Sequence, residues 1–232
     1  SSRTTKGISL SNLISLGQGE QVTAVLRVEE FAREDFILMA TRLGEIKKTP
    51  IADMTSVRSG GLIAMNIEDG DELVTARLAA PGDEVIMVSR MGKAIRFATD
   101  TLRSASRASG GVRGIRLSPE DRVVGVDIIS PDSYLLLGTA NGYGKLTPLS
   151  SYPIHSRGGG GVRTLRVTPK TGVVVAARAA RPSQEAMIIS REGVIIRTPL
   201  SDVPVQGRDS QGVLLKRLDE GDEVVAITCL EE

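Results

Sequence analysis

Short apolar runs that end in a glycine turn and a basic residue recur along this chain. They read Phe36-Ile-Leu-Met-Ala-Thr-Arg-Leu-Gly44 leading to Lys48, Val85-Ile-Met-Val-Ser-Arg-Met-Gly92 to Arg96, Tyr134-Leu-Leu-Leu-Gly-Thr-Ala-Asn-Gly142 to Lys145, and Ala186-Met-Ile-Ile-Ser-Arg-Glu-Gly193 to Arg197. An apolar run of this length, a Gly-containing turn and a second apolar stretch predict a tight antiparallel hairpin in each copy. A second marker is a polar turn between β-branched residues, as in Ile67-Glu-Asp-Gly-Asp-Glu-Leu-Val, Leu117-Ser-Pro-Glu-Asp-Arg-Val-Val and Leu218-Asp-Glu-Gly-Asp-Glu-Val-Val. It predicts a further pair of short strands joined by a loop. A third marker is Gly-rich and occurs five times: Arg3-Thr-Thr-Lys-Gly7, Arg58-Ser-Gly-Gly61, Arg107-Ala-Ser-Gly-Gly111, Arg157-Gly-Gly-Gly-Gly161 and Arg208-Asp-Ser-Gln-Gly212. The terminal glycines are 54, 50, 50 and 51 residues apart, which makes the fold an array of repeats.

Four strands in a unit of roughly fifty residues describe a propeller blade. The expected architecture is therefore all-β, with four-stranded antiparallel sheets in about five blades near 3–57, 58–106, 107–156, 157–207 and 208–232, forming one domain over residues 1–232. Because the chain enters at a Gly-rich motif with no hairpin before it, the first blade reads as incomplete, with a half-unit expected upstream.

Aromatic residues make up 3% of the 232 positions, with no Trp, so the core must be built from Val, Ile, Leu, Met and Ala. The same scarcity weakens any reading that needs aromatic platforms for stacking bases or sugars. Cys229 is the only cysteine and His155 the only histidine. No intrachain disulfide is possible, and neither a His-based metal cluster nor a hydrolase triad is available, so no metal and no catalytic residue is expected. Gly44-Glu-Ile-Lys-Lys lacks the Gly-Lys-Ser/Thr ending of a P-loop. The longest apolar stretch falls short of the roughly 18 residues that span a bilayer and no secretory leader is visible, so a soluble cytoplasmic chain is expected.

A net charge of +1 conceals a patterned distribution. Acidic residues gather in the polar turns, whereas basic residues recur at the start of the Gly-rich motif, just after it (Arg113, Arg116; Arg163, Arg166; Lys216, Arg217) and after the hairpin turn. A repeat array places equivalent positions on equivalent surfaces. The pattern therefore predicts a basic rim and a separate acidic patch.

Taken in order and in phase, these elements resemble the C-terminal domain of the DNA gyrase A subunit, which is a β-pinwheel. The most specific is Tyr152-Pro-Ile-His-Ser-Arg157-Gly-Gly-Gly-Gly161-Val, which is similar to that family's box motif, Gln-Arg-Arg-Gly-Gly-Lys-Gly. Arg157, Gly158, Gly159 and Gly161 match it, while His155, Ser156 and Gly160 depart from it. Gln206, Arg208 and Gly212 form another degenerate copy. In gyrases the functional box opens the first blade, which here would lie upstream of Ser1, and a complete box there would point to gyrase over topoisomerase IV.

The resemblance implies a domain without chemistry of its own that wraps double-stranded DNA around a basic perimeter. Neighbouring blades would exchange strands, tying each Gly-rich segment to the next hairpin. The parent would be an A2B2 complex with the gyrase B subunit, using ATP and magnesium outside this domain, in the bacterial cytoplasm at the nucleoid. Bending about 45 base pairs through about 180° costs roughly 10 kcal/mol, so about ten phosphate contacts would be needed, and a few Lys or Arg per blade would supply them.

The candidate DNA-binding residues are Arg3, Lys6, Lys48, Arg58, Arg96, Arg107, Arg113, Lys145, Arg157, Arg163, Arg197 and Arg208, with Arg157, Gly158, Gly159 and Gly161 as a box-like loop. For the arginines of the Gly-rich motif, phosphate contact and a structural role at the blade junction both remain open. For Lys48, Arg96, Lys145 and Arg197, the alternative to DNA contact is protection of strand edges. Two other functions compete: the C-terminal domain of the topoisomerase IV A subunit, and a protein-interaction propeller.

Overall fold

The computed structural model describes residues 14, 16–17, 19–28, 35–55 and 61–230. Among them the chain forms β1 (Phe36–Thr41), β2 (Glu45–Pro50) and β3 (Leu73–Ala79), then β4 (Glu84–Ser89), β5 (Lys93–Ala98), β6 (Val112–Arg113) and β7 (Val123–Ile129). The pattern repeats as β8 (Tyr134–Thr139), β9 (Tyr143–Pro148), β10 (Val162–Arg163) and β11 (Val174–Ala180), and again as β12 (Glu185–Ser190), β13 (Ile195–Pro199), β14 (Val213–Leu214) and β15 (Val224–Leu230).

The four predicted hairpins are all present, as β1–β2, β4–β5, β8–β9 and β12–β13. Gly44, Gly92, Gly142 and Gly193 take φ of 97°, 75°, 80° and 80° in the four turns, a left-handed conformation costly for any residue with a Cβ. The aspartates of the polar turns hold three of these hairpins closed. Asp71, Asp121 and Asp222 accept hydrogen bonds through Oδ1 from the turn amides of Leu43, Met91 and Glu192, at 2.9, 2.9 and 3.1 Å. Part of the expected acidic patch is therefore internal scaffolding.

The strands assemble into sheets ordered β3-β1-β2-β6, β7-β4-β5-β10, β11-β8-β9-β14 and β15-β12-β13. Four blades thus lie within the described residues, three with four strands and the last with three. Among the described residues, strands flank the polar turns around 118–122, 168–173 and 219–223 but do not pair with each other, and the turn at 67–72 has only β3 after it. The seven-residue strand, β7 for example, joins its own hairpin, whereas the two-residue strand, β6, crosses back to the hairpin of the preceding blade. This corrects the expected exchange: each Gly-rich segment is tied to the previous hairpin. A register shift recurs where each seven-residue strand meets its hairpin, at Ala40/Thr41, Val88/Ser89, Val174/Ala176 and Ile189/Ser190. Bulges of this kind increase local twist, which suits blades set around an axis.

The core lies between blades. Val85 and Met87 pack toward the first blade with Leu38, Ala40 and Ile46, while Ile86 and Val88 pack toward the third with Leu135 and Leu137. Leu136 turns the other way, against Ala186, Ile188 and Ile227 of the fourth. In the first three blades the central hairpin strand is covered on both faces, which is why these runs read as continuously apolar instead of alternating. Val85 through Val88 are all 1% exposed or less, and each such side chain stabilises the fold by about 1.5–3 kcal/mol relative to exposure. The fourth blade's outer face is open, with Val194 47% and Ile195 55% exposed.

The seven-residue strands lie innermost and pack on one another in chain order, β3 against β7, β7 against β11, and β11 against β15. Asp127 on β7 joins three of them. It accepts from Arg77 Nε of β3 at 2.9 Å and from the Ala179 amide of β11 at 3.0 Å, and it lies 3.1 Å from Arg178 Nε.

Candidate nucleic-acid interface

Once the hairpins and inner strands are buried, the segments left on the outside are the Gly-rich motifs and the short strands that follow them. Three are bonded to the preceding blade in the same way. The amides of Gly114, Thr164 and Leu215 donate to the carbonyls of Gly44, Gly92 and Gly142 at 2.9, 2.8 and 2.8 Å. This shared anchoring puts Arg113 and Arg163 at equivalent sites, with Leu214 as the third, and aligns Arg116, Arg166 and Arg217. All five arginines are exposed.

Successive outer segments are also stitched to each other. The Gly158 amide donates to the Gly114 carbonyl at 2.6 Å, the Arg116 amide to the Gly159 carbonyl at 2.9 Å, and the Arg166 amide to the Ser210 carbonyl at 3.5 Å. The rim is thus a continuous ribbon carrying a cationic side chain every few residues. Such an arrangement can meet successive phosphates along a duplex, and it offers no geometry for reading bases.

The predicted residues divide sharply when placed on this frame. Arg107, Arg113, Arg157 and Arg163 are exposed on the ribbon and Arg208 is half-buried there. Arg157 also donates to the carbonyls of Thr101 and Arg113, both at 3.4 Å, which gives it contacts at the blade junction. Arg163 lies 3.6 Å from the Asp209 carboxylate, with both groups more than half exposed. In the box-like loop, Gly158 and Gly161 take φ of 79° and 64°. Its glycines make the close approach to the neighbouring segment possible: a Cβ on Gly161 would collide with the Ala94 carbonyl oxygen. Arg3, Lys6 and Arg58 lie outside the described residues.

The basic residues after the hairpin turns point inward at three of four positions, and their assignment to DNA is corrected accordingly. Lys48 has a side chain 7% exposed, with Nζ 4.6 Å from the centre of the Phe36 ring and 3.8 Å from Asp100. Arg96 is bonded to Glu84 and donates to the carbonyls of Leu149 and Tyr152 at 2.8 and 3.2 Å. Lys145 is fully buried. Arg197 alone stays exposed, and it is paired with Glu185. On the second hairpin strand, Arg96 and Lys145 lie beside the segment crossing in from the next repeat and donate to its carbonyls, while Lys48 faces Phe36 and Asp100. Edge protection, the alternative reading, does not describe the three buried ones either.

Lys93 gives no signal in the repeat pattern because it follows its glycine directly. It is exposed on β5, directly across from Arg163. Lys47, equally silent in the sequence, is buried beneath the 107–111 motif. Burial pushes the pKa of Lys145 down to about 8 and that of Lys47 below its ordinary value. Tyr152, beside the box-like motif, is 1% exposed and bonded to the Thr164 hydroxyl; burial raises its pKa to about 12. Among the described residues no group of three or more His, Cys, Asp or Glu is placed to hold a metal ion, and no helix is long and apolar enough to cross a membrane.

The family model for the DNA gyrase C-terminal domain, a beta-propeller, matches residues 1–29, 35–80, 83–130, 133–181 and 184–231. The chain belongs to this family. The last four matched segments each begin at or just before a hairpin and end at or just after an inner strand, as the blades do. The DNA gyrase A subunit of Halalkalibacterium halodurans is 48% identical over 225 residues, covering 97% of this chain and 27% of the relative. That of Dehalogenimonas lykanthroporepellens is 42% identical over 236 residues, covering 99% and 29%. The chain therefore spans less than a third of the length of these relatives. A solved DNA gyrase A C-terminal domain matches with a TM-score of 0.88 at 28% identity, over 98% of this chain and 76% of that one. The C-terminal domain of a DNA topoisomerase IV matches with a TM-score of 0.90 at 22% identity, over 97% and 71%, a likeness of fold alone.

Proposed function

We propose that this gyrase-family domain binds double-stranded DNA along the ribbon of outer segments and wraps it, presenting a segment to the cleavage gate of its parent protein during ATP-dependent negative supercoiling. The observation that carries the reading is the recurrence of exposed arginines at equivalently bonded positions in successive blades, Arg113 with Arg163 and Arg116 with Arg166 and Arg217. The proposed partners are the rest of a gyrase A subunit and the gyrase B subunit in an A2B2 complex, acting in the bacterial cytoplasm on nucleoid DNA. ATP and magnesium belong to the parent enzyme, and this domain contributes binding alone.

The test is binding of linear duplexes of about 40 to 150 base pairs across a salt series, with end-to-end energy transfer on the longer ones. Phosphate contacts release counterions, so affinity should fall steeply with salt and depend little on sequence. Approach of the DNA ends accompanies wrapping. Salt-sensitive binding with the ends held apart would favour the topoisomerase IV-like alternative, a domain that sets substrate geometry without stable wrapping. Absence of binding at low salt would overturn the DNA reading in favour of a protein-interaction propeller.

A further inference from the structure

Two lysines occupy the same place in different blades and do the same thing. Lys47 of β2 donates through Nζ to the carbonyls of Ala64, Arg107 and Ser109, at 2.9, 2.6 and 2.9 Å. Lys145 of β9 donates to the carbonyls of Gly207, Arg208 and Ser210, at 2.6, 2.8 and 3.3 Å, and to the Ser210 hydroxyl at 3.0 Å. Both side chains are buried. Each ammonium thus sits beneath a Gly-rich segment of the following repeat and donates to its carbonyl oxygens, joined at Lys47 by that of Ala64.

The motifs above the two lysines share a pattern absent from the one between them. Arg107-Ala-Ser109-Gly-Gly111 and Arg208-Asp-Ser210-Gln-Gly212 both carry serine two residues after the arginine. In the intervening blade the equivalent of the lysine is Ile95, and the motif over it is Arg157-Gly-Gly-Gly-Gly161. A Cβ on Gly159 would lie 3.7 Å from the Ile95 Cδ1. Lysine goes with the serine-bearing loop, and isoleucine with the all-glycine loop.

We propose that Lys47 and Lys145 are positioning residues of the DNA-binding rim, each gathering the carbonyls of one Gly-rich loop onto a buried ammonium so that Arg107 or Arg208 is held at the ribbon. The proposal rests on the reading of the rim as a DNA surface. Its physical basis is a shared geometry: a lysine ammonium has three protons and no acceptor, and each of the two donates both to the carbonyl of the motif's own arginine and to that of the serine two residues on. Burial lowers the pKa of Lys145 to about 8, which leaves it charged at neutral pH. The charged groups beside it are Asp209 and Arg208.

The experiment is a double-mutant cycle on the whole domain, with Lys145→Met, Arg208→Ala and the pair, read as affinity for a 40-base-pair duplex at 0.15 M salt. Arg208→Ala should weaken binding about fivefold in the wild type and less than about twofold in the Lys145→Met background, because the arginine is already misplaced there. Lys145→Met alone should weaken binding about fivefold although its side chain has no surface for DNA. Ile188→Val, in the core between the third and fourth blades, controls for lost stability and should leave affinity unchanged. An undiminished Arg208 effect in the Lys145→Met background, or Lys145→Met binding as tightly as wild type, overturns the proposal. If the wild type itself does not bind DNA, it is the underlying reading that fails.

Wild-type protein gives an independent measure should the variant not fold. Hydrogen exchange at pH 7, corrected for intrinsic rates, should be at least about tenfold slower for 207–212 than for 157–161, which has no lysine beneath it. Equal behaviour of the two loops overturns the proposal.

Discussion

Replacing Arg113, Arg116, Arg163 and Arg166 together with glutamine tests the rim most directly. All four are exposed, and the one ion pair among them, Arg163 with Asp209, is long and solvated, so the variant should fold as the wild type does. Each phosphate contact contributes about 0.9 to the slope of log affinity against log salt. Four lost contacts should therefore lower that slope by about 3.6. At 0.15 M salt each contact is worth about fivefold, so affinity should drop about 10³-fold, or about 4 kcal/mol. The assay is anisotropy of a labelled 40-base-pair duplex between 50 and 300 mM salt. Lys48→Met and Arg96→Met form the contrast, because both cations spend their donors inside the protein. They should leave the slope unchanged even where stability falls. A slope change below one unit in the quadruple variant would refute the placement of DNA on this ribbon. So would an equal loss per charge from the buried pair.

Asp127→Ala strips two arginines on neighbouring inner strands, Arg77 and Arg178, of their shared counter-charge. Unfolding in urea should show a loss of about 3 kcal/mol, and a loss under about 1 kcal/mol would mean that the strands hold together without it. Gly161→Ala forces a side chain onto φ of 64° and against the Ala94 carbonyl. It should cost at least about 2 kcal/mol and loosen the pairing of β10 with β5 in hydrogen exchange; a neutral result would show that the exchanged strand bends freely. Stability should also pass through a maximum near pH 10. Lys145 titrates at about 8 in the folded chain against an ordinary 10.5, so the unfolded chain holds the extra proton between those values and stability rises with pH across that window, by up to about 3 kcal/mol. Tyr152 titrates at about 12 against an ordinary 10, so the folded chain holds the extra proton there and stability falls through that range. Urea unfolding at intervals from pH 7 to 11 reads both limbs; a steady fall from pH 8 would contradict the burial of an ammonium at Lys145.

The hairpins, the repeat period and the all-β class were legible because each rests on local chemistry. A glycine with positive φ between two apolar runs can do little but turn the chain, and four copies in phase require one blade repeated. Half of the candidate site was legible for a similar reason. Arg113 and Arg163 alternate with apolar neighbours at strand spacing, and such side chains face solvent wherever the strand packs. Lys48, Arg96 and Lys145 carried the same sequence signal of a cation in phase with the repeat, and the structure turned all three inward.

What separates the two groups is a long-range event. The two-residue strand after each of the last three Gly-rich motifs pairs with the hairpin of the preceding blade, its first residue finding a partner between 66 and 69 residues back along the chain, as Val112 does with Ile46. Nothing local to either segment encodes that partner. The strand exchange covers the second hairpin strand, surrounds its cation with carbonyls and leaves the arginines of the crossing segment outermost. The amino-acid sequence by itself determined the repeating unit, its turns and the supply of cations, because these follow from backbone sterics and residue type. Only the tertiary structure decided which cations face solvent and which organise a loop, because burial is set by what packs on a strand and not by the strand itself.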